Sequence, residues 1–151
     1  MNHRATSAVP WLEPLAASLR RDGAAVLVVV AATQGSAPRD AGTAMVVSTS
    51  ACHGTIGGGH LEFEATRIAR DAVANRGDSG WIVRFPLAAR LGQCCGGVVT
   101  LAFLALDADA SGWIDCASTC ARTGAPFVVV APVERGAGVL LVTPDDTRGS
   151  L

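Results

Sequence analysis

Two adjacent cysteines between glycines are the residues of this chain best suited to chemistry. Residues 92–97 read Gly-Gln-Cys-Cys-Gly-Gly, with the thiols at Cys94 and Cys95. Neighbouring thiols supply soft ligands for a metal or nucleophiles for sulfur transfer, and the flanking glycines let another molecule approach the backbone closely. Structural cysteines are usually single and lie in apolar sequence, so this pattern favours sulfur or soft-metal chemistry.

A glycine-rich turn is the second candidate for a binding site. Residues 57–62 read Gly-Gly-Gly-His-Leu-Glu and run into a helical pattern, so their N–H groups and the helix dipole favour an anion such as phosphate. A tight strand-to-helix turn is the alternative. His60 and Glu62 either contact the ligand or cap the first helical turn. The glycine patterns of nucleotide-binding loops do not occur here, so nucleotide binding has no specific support.

The third candidate is the loop over residues 34–42. It carries Ser36, Arg39 and Asp40 on a backbone that Pro38 stiffens. A guanidinium group binds phosphate or carboxylate through two parallel hydrogen bonds, so Arg39 is the expected partner of a planar anion. A solvated surface arginine is the alternative.

The remaining cysteines and histidines give no metal site. Cys116 and Cys120 share a helical stripe with Trp113 and are predicted to lie in the core, while Cys52 has no predicted role. His60 is followed by a glutamate four residues later, but no second histidine-rich segment completes a zinc site.

Apolar periodicity predicts the elements that position these loops. Helices are expected over Pro10–Arg21, His60–Asn75 and Trp113–Arg122. Strands are expected over Ala24–Ala32, Ala44–Ser48, Trp81–Phe85, Val98–Leu106, Phe127–Val133 and Gly138–Thr143, the last two across a turn at Arg135-Gly136. The alternation indicates an α/β (mixed α+β) fold, with a mixed β-sheet covered by about three helices in a single domain.

Composition excludes several classes of function. The formal net charge is −1, which argues against nucleic-acid and anionic-membrane surfaces. All twelve basic residues are arginine, so a P-loop lysine and a Schiff-base lysine are excluded. The longest apolar run, Ala24–Ala32, is too short to cross a membrane. Five cysteines, an odd number with one adjacent pair, favour a reducing cytoplasmic compartment over a secreted disulfide framework.

In order and spacing, the three candidate loops together resemble the N-terminal domain of the XdhC/CoxI family, which are accessory proteins for molybdenum hydroxylases such as xanthine dehydrogenase. The resemblance rests on residues 31–39 (AATQGSAPR), residues 54–62 (GTIGGGHLE), and Phe85-Pro86-Leu87 followed by residues 91–97 (LGQCCGG). It covers about Val26 to Phe103, and the segment that ends at Leu151 is similar to the region that follows in that family.

This resemblance implies a chaperone that binds molybdenum cofactor (molybdopterin), protects it during sulfuration and delivers it to the apo-hydroxylase. The soft molybdenum centre suits the thiolate of Cys94 or Cys95, and the cofactor phosphate suits Arg39 or the glycine-rich helix start. No catalytic residue is assigned, and a cofactor-binding chaperone is favoured over an enzyme. The implied cofactor-binding residues are Ser36, Arg39, Gly57, Gly58, Gly59, His60, Glu62, Gln93, Cys94, Cys95, Gly96 and Gly97.

Typical members of the family carry a Rossmann-like domain after this region. We therefore expect residues 1–151 to be a single XdhC/CoxI-like N-terminal domain, either as a truncated form or as a stand-alone subunit. Its motif core spans about 24–106, and a C-terminal helix and hairpin span about 111–143. The implied partners are a molybdenum hydroxylase of the xanthine dehydrogenase type, a cysteine desulfurase and a second copy of the chain.

Two other classes of function stay open at this point. A thiol-dependent sulfur-transfer or redox enzyme would use Cys94 or Cys95 without any pterin. A purely structural or interaction domain would tolerate serine at both positions without the loss of a ligand.

Overall fold

Three helices and eight strands form the part of the chain that the computed structural model describes, which is residues 9–76, 80–88, 96–131 and 139–149. The helices are α1 (Leu12–Asp22), α2 (Gly59–Asn75) and α3 (Ser111–Thr123), with a 3₁₀ turn at Ala108–Ala110. The strands are β1 (Ala24–Gln34), β2 (Ala44–Ser48), β3 (Cys52–Gly54), β4 (Gly80–Pro86), β5 (Val98–Asp107), β6 (Val128–Val130), β7 (Leu140–Val142) and β8 (Thr147–Gly149).

The strands form two antiparallel sheets. The larger sheet has the order β3-β2-β1-β5-β4, and the smaller has the order β6-β7-β8. The long strands β1 and β5 lie at the centre of the larger sheet, where every backbone group can pair on both sides. Their register shifts between Val30 and Ala32, which places a β-bulge at Ala31.

Alternation along β1 divides the core between the two faces of the larger sheet. Ala25 and Leu27 pack with α1, α3 and the smaller sheet on one face. Val26 and Val28 pack with α2 on the other face. Successive strand residues point to opposite faces, so a continuously apolar strand is what a sheet covered on both sides requires.

The predicted α+β fold with three helices is confirmed, and the predicted strand Ala44–Ser48 has the observed bounds. One detail was wrong: the expected mixed sheet is replaced by two sheets in which every described pairing is antiparallel. The strands expected over Phe127–Val133 and Gly138–Thr143 are confirmed in shorter form as β6 and β7. The expected turn at Arg135-Gly136 lies outside the described residues. None of the described helices has the length and hydropathy that a membrane crossing needs.

Candidate functional site

The three candidate loops leave the larger sheet at the same end. Gln34, the last residue of β1, pairs with Val98, the first residue of β5. Pro86, the last residue of β4, pairs with Val98 from the other side. The loop after β1 and the segment before β5 therefore start next to each other, although more than fifty residues separate them in sequence.

Gly97 fastens the cysteine segment to the loop after β1. Its N–H donates a hydrogen bond to the Ser36 carbonyl oxygen at 3.1 Å, and its own carbonyl oxygen accepts one from the Leu87 N–H at 3.0 Å. A Cβ atom at this position would collide with the Ser36 carbonyl oxygen and lie 2.6 Å from that of Gln34. Two backbones cross here at a distance that only glycine permits.

The glycine-rich turn touches the other part of the same loop. A Cβ atom on Gly57 would lie 2.6 Å from Cβ of Pro38 and 3.5 Å from Cγ of Arg39. Gly57 also has a φ of 122°, in the region that favours glycine. The loop over residues 34–42 thus contacts both Gly97, at the end of the cysteine segment, and the glycine-rich turn, which brings the described parts of the three motifs together.

Glu62 caps the glycine-rich turn from within the protein. Its Oε2 accepts hydrogen bonds from the Thr55 hydroxyl at 2.5 Å, the Gly58 N–H at 2.9 Å and the Ile56 N–H at 3.1 Å. The Thr55 hydroxyl oxygen in turn accepts from the Gly57 N–H at 3.1 Å. Of the two roles left open for Glu62, the structure shows the cap.

These hydrogen bonds change the protonation of Glu62. Partial burial alone would raise the pKa of the carboxyl, but hydrogen bonds from Thr55, Gly58, Ile56 and Gly57 outweigh it and lower the pKa below its usual value of 4.5. Glu62 is consequently a carboxylate at neutral pH, and its negative charge lies at the start of α2, where the helix dipole favours it.

The other side chains predicted for the site face solvent. Ser36, Arg39 and His60 are exposed, and Arg39 makes no hydrogen bond or ion pair within the described part of the chain. His60 Nε2 lies 3.9 Å from Glu64 Oε1, and the imidazole meets the Phe63 ring edge-on with the centroids 6.1 Å apart. These groups are available to a ligand that approaches the end of the sheet.

Gln93, Cys94 and Cys95 lie outside the described residues, so their predicted role stays a prediction. Gly96 is exposed, and a Cβ atom there would meet no atom of the described residues within 4 Å. The structure therefore fixes where the cysteine segment rejoins the sheet, at Gly97.

The cysteines within the described ranges do not resemble activated thiols. Cys52 lies on β3, and the loss of solvent around its sulfur, with the nearby charge of Glu62, raises the pKa of the thiol. Cys116 and Cys120 are half-buried on α3, and Cys116 packs against the core as predicted. No cluster of three or more potential metal-ligating side chains occurs among the described residues.

Sequence reasoning missed one charged residue at this site. Arg84 on β4 donates a hydrogen bond from Nη2 to Oε1 of Gln34 at 3.0 Å, across the intervening strand β5. Because the two residues are fifty positions apart, no local pattern indicated the contact. The only available signal was a single charged residue in an otherwise apolar strand.

A cavity of about 390 Å³ lies at the opposite end of the sheet. Its polar rim includes Asp107, Asp109 and Arg76. Asp107 Oδ1 already accepts a hydrogen bond from the Asp109 N–H, which begins the 3₁₀ turn. None of the three motifs contributes to this cavity, so the loop cluster at the other end is the better candidate site.

Comparison with known proteins gives the same assignment as the motifs. Residues 18–86 match the sequence model of the XdhC and CoxI family. The fold is similar to that of a solved structure described as a xanthine dehydrogenase from Bacillus halodurans, with a TM-score of 0.75 and 16% identity. That similarity covers 93% of this chain and 44% of the other, so this chain spans less than half of that protein's length. No curated protein matches the chain. The resemblance to the XdhC and CoxI family that the sequence predicts is thereby confirmed over residues 18–86.

Proposed function

We propose that this chain is an accessory protein that binds molybdenum cofactor, supports its sulfuration and delivers it to a molybdenum hydroxylase of the xanthine dehydrogenase type. The family match over residues 18–86 supports the accessory role. The observation that carries the proposal is the contact of the loop over residues 34–42 with both Gly97 and Gly57, which brings the described parts of the three motifs to one end of the sheet.

The chemistry of the donor set fits this cofactor. Bound molybdopterin supplies a soft molybdenum centre and a phosphate group, and thiolates are the protein ligands that soft centres prefer. Cys94 or Cys95 would hold the metal end, and the exposed guanidinium of Arg39 would hold an anionic group. A Cβ atom on Gly96 would meet no atom of the described residues, which supports the approach of a ligand to the backbone there.

Binding and release, without a proton-transfer step, are sufficient for a chaperone. The thiols of Cys52 and Cys120 have a raised pKa, so neither is poised as a nucleophile at neutral pH. Sulfur chemistry at this site would rest on Cys94 and Cys95 together with a partner that supplies the sulfur, for which a cysteine desulfurase is our proposal. We also propose that residues 1–151 act as one domain.

An anaerobic titration of the chain with molybdenum cofactor tests this function. Wild type should bind saturably, and either Cys94→Ser or Cys95→Ser should lose most of the affinity, because serine cannot replace a soft thiolate ligand. Cys116→Ser on α3 is the matched control and should bind as wild type does.

Two results would count against the proposal. A folded wild-type chain that does not bind the cofactor would contradict it directly. Formation of a persulfide at Cys94 or Cys95 in turnover that needs no pterin would instead favour the thiol-enzyme alternative.

A further inference from the structure

The start of α2 is a poor place for the phosphate of the proposed cofactor. Its donors at Ile56 and Gly58 already bind the carboxylate of Glu62. A phosphate at the same turn would meet that negative charge at short range, and like charges in partly desolvated surroundings repel strongly. The phosphate therefore needs a cation that lies away from Glu62.

The described arginines differ in how far their charge is already neutralised. Arg21 pairs with Asp22, Arg67 pairs with Glu64 and Asp71, and Arg148 pairs with Asp146. At the end of the sheet where the motifs meet, Arg39 makes no ion pair among the described residues, but it lies against Gly57, in the turn whose N–H donors Glu62 occupies. Arg84 is exposed, and its one polar partner among the described residues is the neutral amide of Gln34.

The amide of Gln34 positions Arg84 without cancelling its charge. A guanidinium has five N–H donors, and the 3.0 Å contact from Nη2 to Gln34 Oε1 uses one of them. Gln34 itself pairs with Val98, the residue after Gly97, so the contact holds the guanidinium at the base of the cysteine segment. A fixed guanidinium loses less freedom when it binds an anion than a mobile one does.

The sheet surface around Arg84 is open. Ile82, two residues earlier on the same face of β4, is 39% exposed. Its neighbour across the ladder is Ala102, and the neighbour of Arg84 is Thr100, so small side chains flank the guanidinium. An anionic group of a ligand would therefore find room beside Arg84.

We infer that Arg84, positioned by Gln34, binds the phosphate group of the cofactor. The inference rests on the function proposed above and adds to it a residue on the opposite face of the sheet from α2. The phosphate is then held at the guanidinium on β4, away from the charge of Glu62, and the proposed thiolate ligand is unchanged.

The test compares two forms of the cofactor, one intact and one from which a phosphatase has removed the phosphate. Arg84→Gln should weaken binding of the intact form by about tenfold or more, the usual loss for one charge-assisted hydrogen-bonded contact. It should leave binding of the dephosphorylated form unchanged. Arg84→Lys should recover part of the affinity, since it keeps the charge and loses the planar fork.

Arg20→Gln is the matched control, because it removes one exposed positive charge from α1 at the other end of the sheet. It should bind both cofactor forms as wild type does. An equal loss in Arg20→Gln and Arg84→Gln would indicate a general charge effect and overturn the inference. Equal binding of intact cofactor by Arg84→Gln and wild type would overturn the inference while leaving the proposed function intact.

A second measurement uses wild-type protein and inorganic phosphate. It therefore requires neither a correctly folded variant nor binding of the cofactor. The ¹⁵Nε resonance of Arg84 should shift saturably with phosphate, while that of Arg20 should not. If wild type failed to bind cofactor but Arg84 responded in this way, the proposed function would fail and the anion site would stand. If phosphate did not change the ¹⁵Nε chemical shift of Arg84, the inferred anion site would be wrong.

Discussion

At the scale of single residues, the site depends on where a side chain is absent. Gly97 lets two backbones cross so closely that its N–H and carbonyl oxygen join the loop after β1 to the end of β4. A Cβ atom on Gly96, its neighbour, would contact none of the residues that the structure describes. Two adjacent glycines in the same motif therefore have different reasons to be glycine, and one substitution at each separates them.

Gly97→Ala should destabilise the protein by about 1 to 3 kcal/mol or more, because the new Cβ would collide with backbone atoms that cannot move aside cheaply. Gly96→Ala should leave the free energy of unfolding within a few tenths of a kcal/mol of wild type. Urea unfolding of both variants checks this. Equal unfolding midpoints would show that the loops do not cross at Gly97 as described.

Residue roles were predictable from the sequence to different degrees. The grouping of Arg39 with the glycine-rich turn was expected from the motifs, and the proximity of Gly57 to the side chains of Pro38 and Arg39 agrees with it. The cap by Glu62 was one of two alternatives, because a carboxylate three residues into a helix suits either role. Arg84 could not be identified, since its significance depends on a partner in a distant strand.

At the scale of elements, the start of α2 shows how a helix end is satisfied internally. Gly58, the residue before α2, has no side chain to act as a cap. The carboxylate of Glu62, on the first turn, takes the place of a capping side chain. It accepts hydrogen bonds from two backbone N–H groups and one hydroxyl. The stability of this junction should therefore depend on the charge of Glu62, and so on pH.

Glu62→Gln should lower the free energy of unfolding by about 1 kcal/mol at pH 7, because it removes the charge from three hydrogen bonds at a partly exposed site. The folded-state pKa of Glu62 is depressed below 4.5, so its stabilisation is complete above that value and is lost as the pH falls through the folded pKa. The difference between wild type and variant should shrink accordingly in acid.

Denaturant unfolding between pH 7 and pH 3 measures this difference. Glu64→Gln on the same helix is the control, since Glu64 makes only exposed ion pairs and its loss should change the unfolding midpoint little at pH 7. A difference for Glu62→Gln that stayed constant with pH would argue against the charged cap.

Long apolar elements were predicted well, and short polar ones were not. The strand Ala44–Ser48 and the helix from residue 60 to Asn75 were found because burial imposes a clear period on their sequences. The strands β3 and β8, each three residues long with all residues exposed, carry no such period, and no range was predicted for either. The relative direction of the strands could not be predicted either, because strand pairing depends on contacts between distant segments of the sequence.

At the scale of the whole molecule, the two sheets differ in how firmly they are held. β1 pairs on both sides and its core residues Val26 and Val28 are 0% exposed. Among the described strands, β6 pairs on one side only, and Val128 on it is 60% exposed. The candidate site lies at the end of the firmly held sheet, which suits the binding surface that we propose there.

Native-state hydrogen exchange should therefore resolve two levels of stability. Amides of Val26 and Val28 should exchange only through global unfolding, because opening β1 breaks both neighbouring ladders and both core clusters. Amides of β6 that pair with β7 should exchange through a smaller opening. Because that opening exposes less surface, its free energy should depend less on denaturant concentration. If β6 and β1 shared one exchange free energy and one denaturant slope, the molecule would unfold as a single unit.

The variant Gly97→Ala separates the two cases. In a single unit, its destabilisation would lower the exchange protection of both sheets equally. With two levels of stability, it should lower the protection of β1 and leave the local opening of β6 unchanged.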